Sequence, residues 1–565
     1  MNDKKLIRRS LKWLWKSSKG IRGRLAFSCF LGVFRVVAGL GFIFLSKTLI
    51  DMATVSAQGG DVSSLLGYTP KAPMWAYAVA LAVLMALQVG SGVLGGFLSN
   101  QTQIRMKNSL QHRLFEHLIR ARWIGMEGYH SGDIINRLEE DSRLITSTLC
   151  SSVPNLLVAL INLTAAFIFL CTMNSTLAWA IVCIMPFFLI LSRFYVKKVR
   201  GITKEIRAYD SKIQSTIQES LQHRVLIQSL EKEELVGDSL AVSQGELYNQ
   251  TMKRTRFSAL SRTLVNVGFA GTYVAVFIYS VWQIKYGIIT FGTMTAFLQL
   301  VGQIQRPTVD LTRQIPELVH ASTAIDRLKE LEQLPVDEDK NEDMLEGAVG
   351  VRLKDVSFRY SGGRRYILQN FSFDFTPGSR CSIMGETGSG KSTTVRLMLA
   401  LLEAQSGEVE MYNEHRSVKV SNSTRCNIAY VPQGNSLLSG TIRENLRLGN
   451  PSATEEQIRE ALYTAAAEFV YDLPDGLETP TREGGSGLSE GQAQRIAIAR
   501  GLLRPGGILI LDEFSSSLDS ETEKVLIQRL IENFRHKTMI FVTHRDRVVQ
   551  YCSAVVHLKR LKEDI

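Results

Sequence analysis

Six long apolar stretches dominate the first half of the chain, and each has the length of a bilayer-spanning helix. They cover residues 25–46, 74–99, 151–173, 177–192, 263–284 and 286–305. A hydrocarbon core about 30 Å thick requires about 20 such residues in a helix. Charge-free runs such as MWAYAVALAVLMALQVGSGVLGGFLS fit poorly with the alternative of six buried helices in a soluble protein. The pattern predicts six transmembrane helices.

The charges between these stretches indicate which side of the membrane each connection occupies. Residues 100–150 and 193–262 are rich in Lys and Arg, whereas the other connections carry only Lys71 and Lys285 as cations. Because cytoplasmic loops carry the excess of positive charge, both termini and both long connections are expected in the cytoplasm. Both connections are compatible with helix, so helices two with three and four with five should continue far beyond the bilayer.

The first 24 residues form a further basic segment. They contain nine Lys or Arg and one Asp, with leucines and tryptophans among the cations. This composition is typical of an amphipathic helix that lies at the level of the lipid headgroups. The chain has a net charge of +11 and 45% hydrophobic residues. Since this basic segment lies next to an apolar run, it indicates a membrane surface as partner and not nucleic acid.

The composition changes after the sixth apolar stretch. Residues 331–350, LEQLPVDEDKNEDMLEGAVG, are acidic and predict a linker. Beyond them VRLKDVSF and SRCSIMG are typical of strands, and KSTTVRLMLALL of a helix, so residues 351–565 predict an α/β domain. The expected order is an N-terminal segment 1–24, an all-α membrane domain 25–330, the linker and this domain. The seven cysteines include no C-x-x-C pair, which argues against zinc or a disulfide framework.

The motif GETGSGKS, Gly385–Ser392, follows the apolar strand CSIM and begins the predicted helix. Its glycines allow backbone N–H groups to point at phosphate, and the helix N-terminus adds positive potential. Lys391 would reach the β- and γ-phosphates and Ser392 would bind Mg²⁺. The motif predicts a P-loop nucleotide site for ATP and Mg²⁺.

A second motif, ILILDE, covers residues 508–513. Its four apolar residues predict a buried strand that places two carboxylates at its end. Asp512 suits Mg²⁺ coordination, and Glu513 suits the polarisation of an attacking water. Together the two motifs predict nucleotide hydrolysis and leave the class of NTPase open.

The sequence LSEGQ, residues 488–492, narrows this prediction because it ends 20 residues before Asp512. With it, residues 20–555 resemble a half-size ATP-binding cassette (ABC) transporter of the exporter type. The resemblance implies a multi-domain fold: a polytopic six-helix membrane domain, followed by a P-loop NTPase α/β domain with a helical subdomain.

The resemblance also assigns roles to matching positions. It implies that Tyr360 stacks on adenine and that Gln433 senses Mg²⁺. The implied catalytic residues are Glu513, His544, Gln433 and Lys391. Asp519 and Glu483 are implied to make contacts in the dimer. The implied nucleotide-binding set is Tyr360, Gly385, Glu386, Thr387, Gly388, Ser389, Gly390, Lys391, Ser392, Thr393, Gln433, Ser489, Gly491, Gln492 and Asp512. The implied metal ligands are Ser392, Gln433 and Asp512.

Two segments of the membrane half match cytoplasmic loops of the family. The first is 126–145, with Gly132, Asp133, Arg137 and Asp141 at matching places, and the second is 219–234. Each is expected to carry a short coupling helix that docks on the ATPase.

Polar residues recur every three or four positions along helix six, which places them on one helical face. They are Gln299, Gln303, Arg306, Asp310, Arg313 and Glu317. Because exposing them to lipid would be costly, the face is expected to line an aqueous cavity, with Gln299, Gln303 and Arg306 as candidate substrate contacts. The alternative for the charged members is pairing along their own helix.

Arg35 interrupts the first helix near its middle, where an unpaired cation is expensive. It either faces the cavity, where it would attract an anionic or zwitterionic headgroup, or pairs with an acid on a neighbouring helix. No acid lies at comparable depth in the apolar stretches, which favours the cavity.

The resemblance implies a dimer, here expected to be a homodimer, that uses ATP hydrolysis to export or flip an amphipathic substrate, such as a lipid, drug or peptide, by alternating access. The expected location is a bacterial-type cytoplasmic membrane. Three alternatives stay open: a subunit paired with a homologous half-transporter, an ATP-gated channel or regulator, and, more weakly, an importer. The presence of both Glu513 and His544 favours the homodimer, since an impaired half often lacks one of them.

Glu490 lies within LSEGQ, residues 488–492, which is the signature of the family. The resemblance implies that this signature meets the phosphates of ATP from the opposite subunit, and Glu490 places a carboxylate there. Ser489 followed by Gln492 forms an S-x-x-Q pattern, which predicts a capping box with Glu490 as the first helical residue. The helix dipole stabilises an acid there. We therefore expect the ATP-dependent closure of the dimer to be weakened or tuned by Glu490 and not abolished.

Overall fold

The computed structural model describes residues 13, 19–57, 73–337, 341–360, 363, 365–481 and 487–561, except the side chains of 55–57, 180–197, 200, 204, 306, 308–310, 312–313 and 315–316. The chain forms two units. The helical unit comprises Met1–Glu116 and Ser131–Gln333, and the α/β unit comprises His117–His130 and Leu334–Ile565.

The helical unit is built on six long helices, as its apolar pattern predicts. They are α1 (Arg22–Ala57), α2 (Met74–Arg120), α6 (Val153–Met173), α7 (Ser175–Gln222), α9 (Glu233–Lys285) and α10 (Phe291–Glu332). Its shorter elements are α4 (Ser131–Asn136), α5 (Ser142–Ser147), α8 (Arg224–Ser229) and two π-helical turns, Arg137–Asp141 and Thr148–Ser152, whereas the short helix α3 (Trp123–Met126) belongs to the α/β unit. The two long connections, 100–150 and 193–262, are largely helical, as expected.

Four helical segments in the described part of the chain are long and apolar enough to cross a membrane. They are Arg22–Thr54, Met74–Arg120, Ser131–Met173 and Glu233–Lys285. The fourth predicted span, 177–192, lies in α7, where the side chains of 180–197 are outside the described residues. The predicted amphipathic helix 1–24 also falls largely outside them.

The sixth helix begins at Phe291 and not at residue 286, because its N-terminus is fixed by two side chains. Thr290 accepts a hydrogen bond from the Thr293 N–H at 3.1 Å. Asp51 of α1, fully buried, accepts one from the Gly292 N–H at 2.8 Å and lies 3.3 Å from the Lys47 ammonium. A Cβ at position 292 would overlap the Lys47 carbonyl oxygen. This contact joins the end of α1 to the start of α10.

The core of the helical unit lies between α1, α6 and α10, with Ile43, Leu170 and Phe297 among its buried residues. Near the other end of α10, polar contacts join it to the connection between α2 and α6. Arg327 binds the buried carboxylate of Asp141, and Arg137 lies 2.9 Å from Glu330. The loop residues 131–145 therefore pack within the helical unit.

The described residues of the α/β unit form three sheets. Its antiparallel sheet has the order β2-β1-β4-β5, its parallel sheet β11-β3-β10-β9-β6, and β7 pairs with β8. The strands are β1 (Gly350–Phe358), β2 (Leu368–Phe375), β3 (Arg380–Gly385), β4 (Ser406–Tyr412), β5 (Ser417–Lys419), β6 (Ile428–Val431), β7 (Gly440–Thr441), β8 (Pro480–Thr481), β9 (Ile508–Asp512), β10 (Thr538–Val542) and β11 (Ala554–Leu558). The helices are α11 (Lys391–Met398), α12 (Ile442–Arg447), α13 (Glu455–Thr464), α14 (Glu490–Leu503), α15 (Ser520–Asn533) and α16 (Asp546–Val549). The predicted strands at 351–358, 379–385 and 508–512 are present.

Two segments that precede β1 pack on the α/β unit. In the predicted linker, Leu345 and Val349 are buried in the core. In the segment 117–130, the Arg122 guanidinium lies 3.1 Å from the Glu403 carboxylate. This segment, with its short helix α3, shares residues 126–130 with the 126–145 stretch predicted to dock there, whereas 131–145 belongs to the helical unit. The short helix expected within 219–234 is α8.

Candidate functional site

The phosphate loop connects the buried strand β3 to α11. Gly385 has φ +151° and Gly390, which precedes α11, has φ +102°, so both adopt backbone conformations that favour glycine. A Cβ at Gly385 would overlap the Leu558 carbonyl oxygen. The Lys391 ammonium donates to the carbonyl oxygens of Gly385 at 2.7 Å and Glu386 at 3.2 Å, which folds the loop around it.

The loop presents groups that fit a polyphosphate. The hydroxyl of Ser389 is buried and has no hydrogen-bond partner, and the Lys391 side chain is largely buried. Burial lowers the pKa of Lys391, an effect that the carboxylates of Glu513 and Asp512 oppose. An unpaired hydroxyl and a desolvated ammonium at a helix N-terminus both favour a bound anion. Thr387 and Gly388, on the outer side of the loop, are exposed.

Four predicted catalytic residues meet in one hydrogen-bonded network. The Gln433 amide donates to the Glu513 carboxylate, and the Nε2 atom of His544 lies 3.0 Å from that carboxylate. The same Nε2 atom lies 3.1 Å from the Lys391 ammonium. Glu513 has φ +45°, an unusual conformation for a non-glycine residue, and its N–H donates to the Val542 carbonyl at 2.8 Å. The backbone therefore fixes where this carboxylate leaves the sheet.

Asp512 ends the fully buried strand β9, and one of its carboxylate oxygens accepts a hydrogen bond from the Tyr430 hydroxyl at 3.2 Å. Burial raises the pKa of Asp512 and that of Tyr430. Ser392 is exposed in the first turn of α11. Carboxylate, hydroxyl and amide oxygens are ligands that Mg²⁺ prefers, so Asp512, Ser392 and Gln433 fit this ion by their chemistry. No local sequence pattern indicates Tyr430, which lies beside Asp512 because β6 and β9 are adjacent strands of one sheet.

Tyr360 connects the loop to the 117–130 segment. Its hydroxyl lies 3.2 Å from the Thr393 hydroxyl and accepts a hydrogen bond from Arg396 at 2.9 Å. The Arg396 guanidinium in turn lies 5.0 Å from the centre of the Trp123 ring. Arg396, also absent from the sequence-based predictions, follows the P-loop by less than two helical turns, a position that could have drawn attention to it.

The signature forms the N-terminus of α14. The Ser489 hydroxyl accepts a hydrogen bond from the Gln492 N–H at 3.2 Å, and the Oε1 atom of Gln492 accepts one from the Ser489 N–H at 2.9 Å, so the predicted capping box is confirmed. Glu490 is the first residue of the helix and is exposed. A Cβ at Gly491 would lie 2.7 Å from the Ser517 carbonyl oxygen, so glycine permits this close approach.

Among the described residues, no hydrogen bond links Ser489, Gly491 or Gln492 to the phosphate loop of the same chain. Asp519 caps α15 by accepting hydrogen bonds from the N–H groups of Glu521 and Thr522, and the Thr522 N–H contributes most to lowering the Asp519 pKa. Glu483 lies outside the described residues.

The helical unit contains a cavity of about 1320 Å³ that several predicted substrate residues line. Arg35, Gln299 and Gln303 are among its lining residues, and so is Glu317, which accepts a hydrogen bond from Ser152 at 2.7 Å. The Arg306 side chain lies outside the described residues. Gln88, missed by the sequence analysis, lies opposite Gln303: a Cβ on Gly39 would be 3.3 Å from the amide nitrogen of each.

Comparisons with known proteins agree with this architecture. The family model of the ABC transporter transmembrane region matches residues 25–308, and that of the ABC transporter matches residues 368–516. An uncharacterised ABC transporter ATP-binding protein, YknV, from Bacillus subtilis is 30% identical over 491 residues, covering 85% of this chain and 80% of that protein. An ATP-dependent lipid A-core flippase from Vibrio vulnificus is 24% identical over 553 residues, with 97% and 92% covered.

The fold is similar to the solved structure of a bacterial Atm1-family ABC exporter with ATP bound, at a TM-score of 0.77 and 21% identity, over 96% of this chain and 95% of that one. The predicted fold class is confirmed: a helical membrane region is followed by an α/β nucleotide-binding domain. The chain therefore belongs to the ABC transporter family, as a half-size exporter-type membrane protein that binds nucleotide and couples ATP hydrolysis to transport.

Proposed function

We propose that two copies of this chain form a homodimeric pump in a bacterial cytoplasmic membrane. The pump exports or flips an amphipathic substrate by alternating access, with both termini in the cytoplasm. The observation that carries the proposal is the network of Lys391, Gln433, Glu513 and His544, because one chain supplies every member of it. Each site of a homodimer would thus be complete for hydrolysis.

Each residue of the network has a separate role in the binding or hydrolysis of ATP. Lys391 and the loop N–H groups hold the β- and γ-phosphates, and Tyr360 supports adenine. Glu513 orients the attacking water and accepts its proton, while His544 donates to the γ-phosphate. Since His544 Nε2 now lies about 3 Å from both Lys391 and Glu513, an arriving γ-phosphate would separate these groups. Mg²⁺ held by Ser392, Gln433 and Asp512 would neutralise part of the phosphate charge.

The signature supports the dimer. Ser489, Gly491 and Gln492 present a capped helix N-terminus, a favourable place for phosphate, yet none of them is hydrogen-bonded to the phosphate loop of its own chain. In a two-fold symmetric dimer each signature can serve the nucleotide of the other copy. Export or flipping of a lipid-like substrate is supported by the polar cavity in a membrane domain and by the similarity to a lipid A-core flippase.

The decisive experiment measures ATP-dependent movement of a fluorescent short-chain lipid across sealed proteoliposomes that contain the full chain. Glu513→Gln should remove both ATP hydrolysis and lipid movement, with a drop of at least about 100-fold in the hydrolysis rate, because the acid that orients the water is lost. Glu532→Gln, which changes an exposed acid on α15, is the matched control and should behave as wild type.

Lipid movement that persists in the Glu513→Gln variant would contradict pumping and indicate an ATP-gated pathway. The homodimer is tested by purifying a mixture of tagged and untagged copies of this chain. The tagged copy should retain the untagged one, and a single-copy particle without ATPase activity would contradict the homodimer.

A further inference from the structure

We propose that Arg35 and the amides around it form a binding site for an anionic head group. The substrate would then be an amphiphile whose polar end carries a phosphate, sulfate or carboxylate beside hydroxyl or amide groups. This inference rests on the proposed transport function and specifies its substrate class. It follows from the position of one cation, the polarity of the cavity around it, and the small number of aromatic and acidic groups there.

Arg35 is a cation deep in the membrane domain. It lies 13 residues after the start of α1, roughly 20 Å along the helix. In the part of the chain that the structure describes, Arg35 makes no ion pair, and its side chain is exposed to the cavity. Such a charge is costly at this depth unless water or a counter-ion reaches it. A substrate anion would supply that counter-ion.

The packing of α2 turns Arg35 toward the cavity. A Cβ on Gly92 would lie 3.6 Å from both the Cδ and Nη1 atoms of Arg35, so the guanidinium extends along the backbone of α2 at a glycine. Arg35 lines the large cavity and also a smaller one of about 240 Å³. Ser151 and Asn155 line both as well, and the two cavities therefore meet at the guanidinium.

The smaller cavity suits a compact anionic group. Its described lining contains Arg35, Asn100 and Asn155 together with hydroxyls of Ser28 and Ser151, and it contains no carboxylate. The hydroxyls of Ser91 and Ser99 also line it, but they donate to the carbonyl oxygens of Gln88 and Cys150. Since one water occupies about 30 Å³ in the liquid, the volume equals roughly eight waters, enough for a phosphate and a few attached heavy atoms. A guanidinium with neighbouring hydrogen-bond donors is the arrangement that proteins use for phosphate and carboxylate.

The larger cavity suits the rest of a polar head group. Its described lining carries six side-chain amides: Gln88, Asn155, Asn162, Gln299, Gln303 and Gln314. The amide oxygen of Gln303 is buried and lacks a hydrogen-bond partner. Unpaired buried acceptors favour a ligand that donates hydrogen bonds, such as one with hydroxyl or amide groups.

The groups that bind cations are scarce in the same place. Phe42 is the one aromatic ring in the described lining, and cation recognition by aromatic faces needs more than that. Glu317, the one acid there, is hydrogen-bonded to Ser152 and lies 18 residues from Gln299, roughly 27 Å along α10. Arg143, the other lining cation, is bound by Glu140 at 2.6 Å. Near Arg35 the lining thus selects for negative charge.

The test uses the full-length protein in nanodiscs of phosphatidylcholine and measures binding by fluorescence anisotropy. Three labelled probes share one short acyl chain and differ in head group: phosphatidylglycerol, phosphatidylcholine and a quaternary ammonium. Wild type should bind the anionic probe about tenfold more tightly than the zwitterionic one, the size expected of one charge-assisted hydrogen-bond pair, and the cationic probe least tightly. Equal or tighter binding of the cationic probe would overturn the proposal.

Three variants locate the effect. Arg35→Gln should remove the preference for the anionic probe, Arg35→Lys should retain most of it, and Arg24→Gln, which removes an exposed cation from the same helix outside the cavity, should bind all probes as wild type does. Retention of the preference in Arg35→Gln would overturn the assignment to Arg35. If Arg35→Gln fails to fold, the three probe affinities are compared between Arg35→Lys and wild type. The order of the three affinities in wild type then still decides whether the site prefers an anion.

A competition arm identifies the source of the anion. Glycerol phosphate, which has the head group without an acyl chain, should displace the anionic probe with similar affinity if the substrate is a water-soluble anion. It should compete at least about 100-fold more weakly if the substrate is a lipid, because the buried chain then supplies affinity. Lipid movement with no preference for charge would overturn this inference and leave the proposed pump intact. Absence of ATP-dependent movement of every probe would overturn both.

Discussion

The nucleotide site of the α/β unit takes its residues from loops at the ends of buried strands, whereas the cavity of the helical unit takes single residues from the faces of α1, α2, α6 and α10. In the first region the main chain carries much of the geometry, through glycines with positive φ and a glutamate with φ +45°. In the second, flexible amide side chains carry it. The ATPase chemistry is therefore expected to tolerate little change, while the cavity can vary with the substrate.

The largest effect should follow the addition of one methyl group to the phosphate loop. In Gly385→Ala the new Cβ overlaps the Leu558 carbonyl oxygen, and the residue must keep φ +151°, so the loop has to shift. We expect ATP affinity to fall by more than about 100-fold, equivalent to roughly 2.7 kcal/mol. Binding of a fluorescent ATP analogue measures it.

Gly378→Ala is the control for this change. Gly378 also has a positive φ, +72°, but no atom would lie within 4 Å of its Cβ. The free energy of unfolding of the Gly378→Ala protein should fall by about 1 kcal/mol because of backbone strain, and its affinity for ATP should be unchanged. Wild-type ATP affinity in Gly385→Ala would contradict the view that the main chain of this loop sets the site.

An intermediate effect is expected at Glu490. At about 8 Å from a phosphate charge and an effective permittivity of ~20, its carboxylate is repelled by roughly 2 kcal/mol. The helix dipole stabilises the same carboxylate by ~0.3 to 1 kcal/mol, which offsets part of this repulsion. Glu490→Gly should therefore tighten ATP-dependent dimer closure by no more than about tenfold, measured as the ATP concentration that half-closes dimers of the Glu513→Gln protein. Glu490→Gln separates charge from backbone freedom, and a gain far above tenfold in either would mean that the natural site is impaired.

The smallest effect is expected for the same methyl addition in the cavity. In Gly39→Ala the new Cβ would lie 3.3 Å from the amide nitrogens of Gln88 and Gln303, which are the ends of flexible side chains. These amides can move by a few tenths of an ångström, so binding of the anionic probe should change by less than about fivefold. A loss as large as that in Gly385→Ala would show that the cavity is as rigid as the nucleotide site.

Local sequence patterns were sufficient for much of the nucleotide site. The P-loop, the strand before Asp512 and the capping box at Ser489 each depend on residues within a few positions of one another, and the structure contains all three elements. Helical spacing also placed Gln299 and Gln303 on one face, and both line the cavity.

The features that the sequence did not reveal depend on partners far apart in the chain. Tyr430 and Asp512 are 82 positions apart and meet because β6 and β9 are adjacent in the sheet. The start of α10 is fixed by Asp51, which is 241 positions away from Gly292. Gln88 lines the cavity because α1, α2 and α10 pack together around Gly39, and the local sequence around Gln88 does not indicate that packing.

The attachment of residues 117–130 to the α/β unit changes how the two units are covalently connected. The chain passes between the units at 116–117, at 130–131 and at 333–334, so three peptide connections join them. A break introduced between Gln333 and Leu334 would cut one of these connections and leave the other two. The C-terminal fragment would then stay bound through non-covalent contacts with the 117–130 segment, including Arg122 with Glu403 and Arg396 with Trp123. A nicked transporter of this kind should copurify as two fragments.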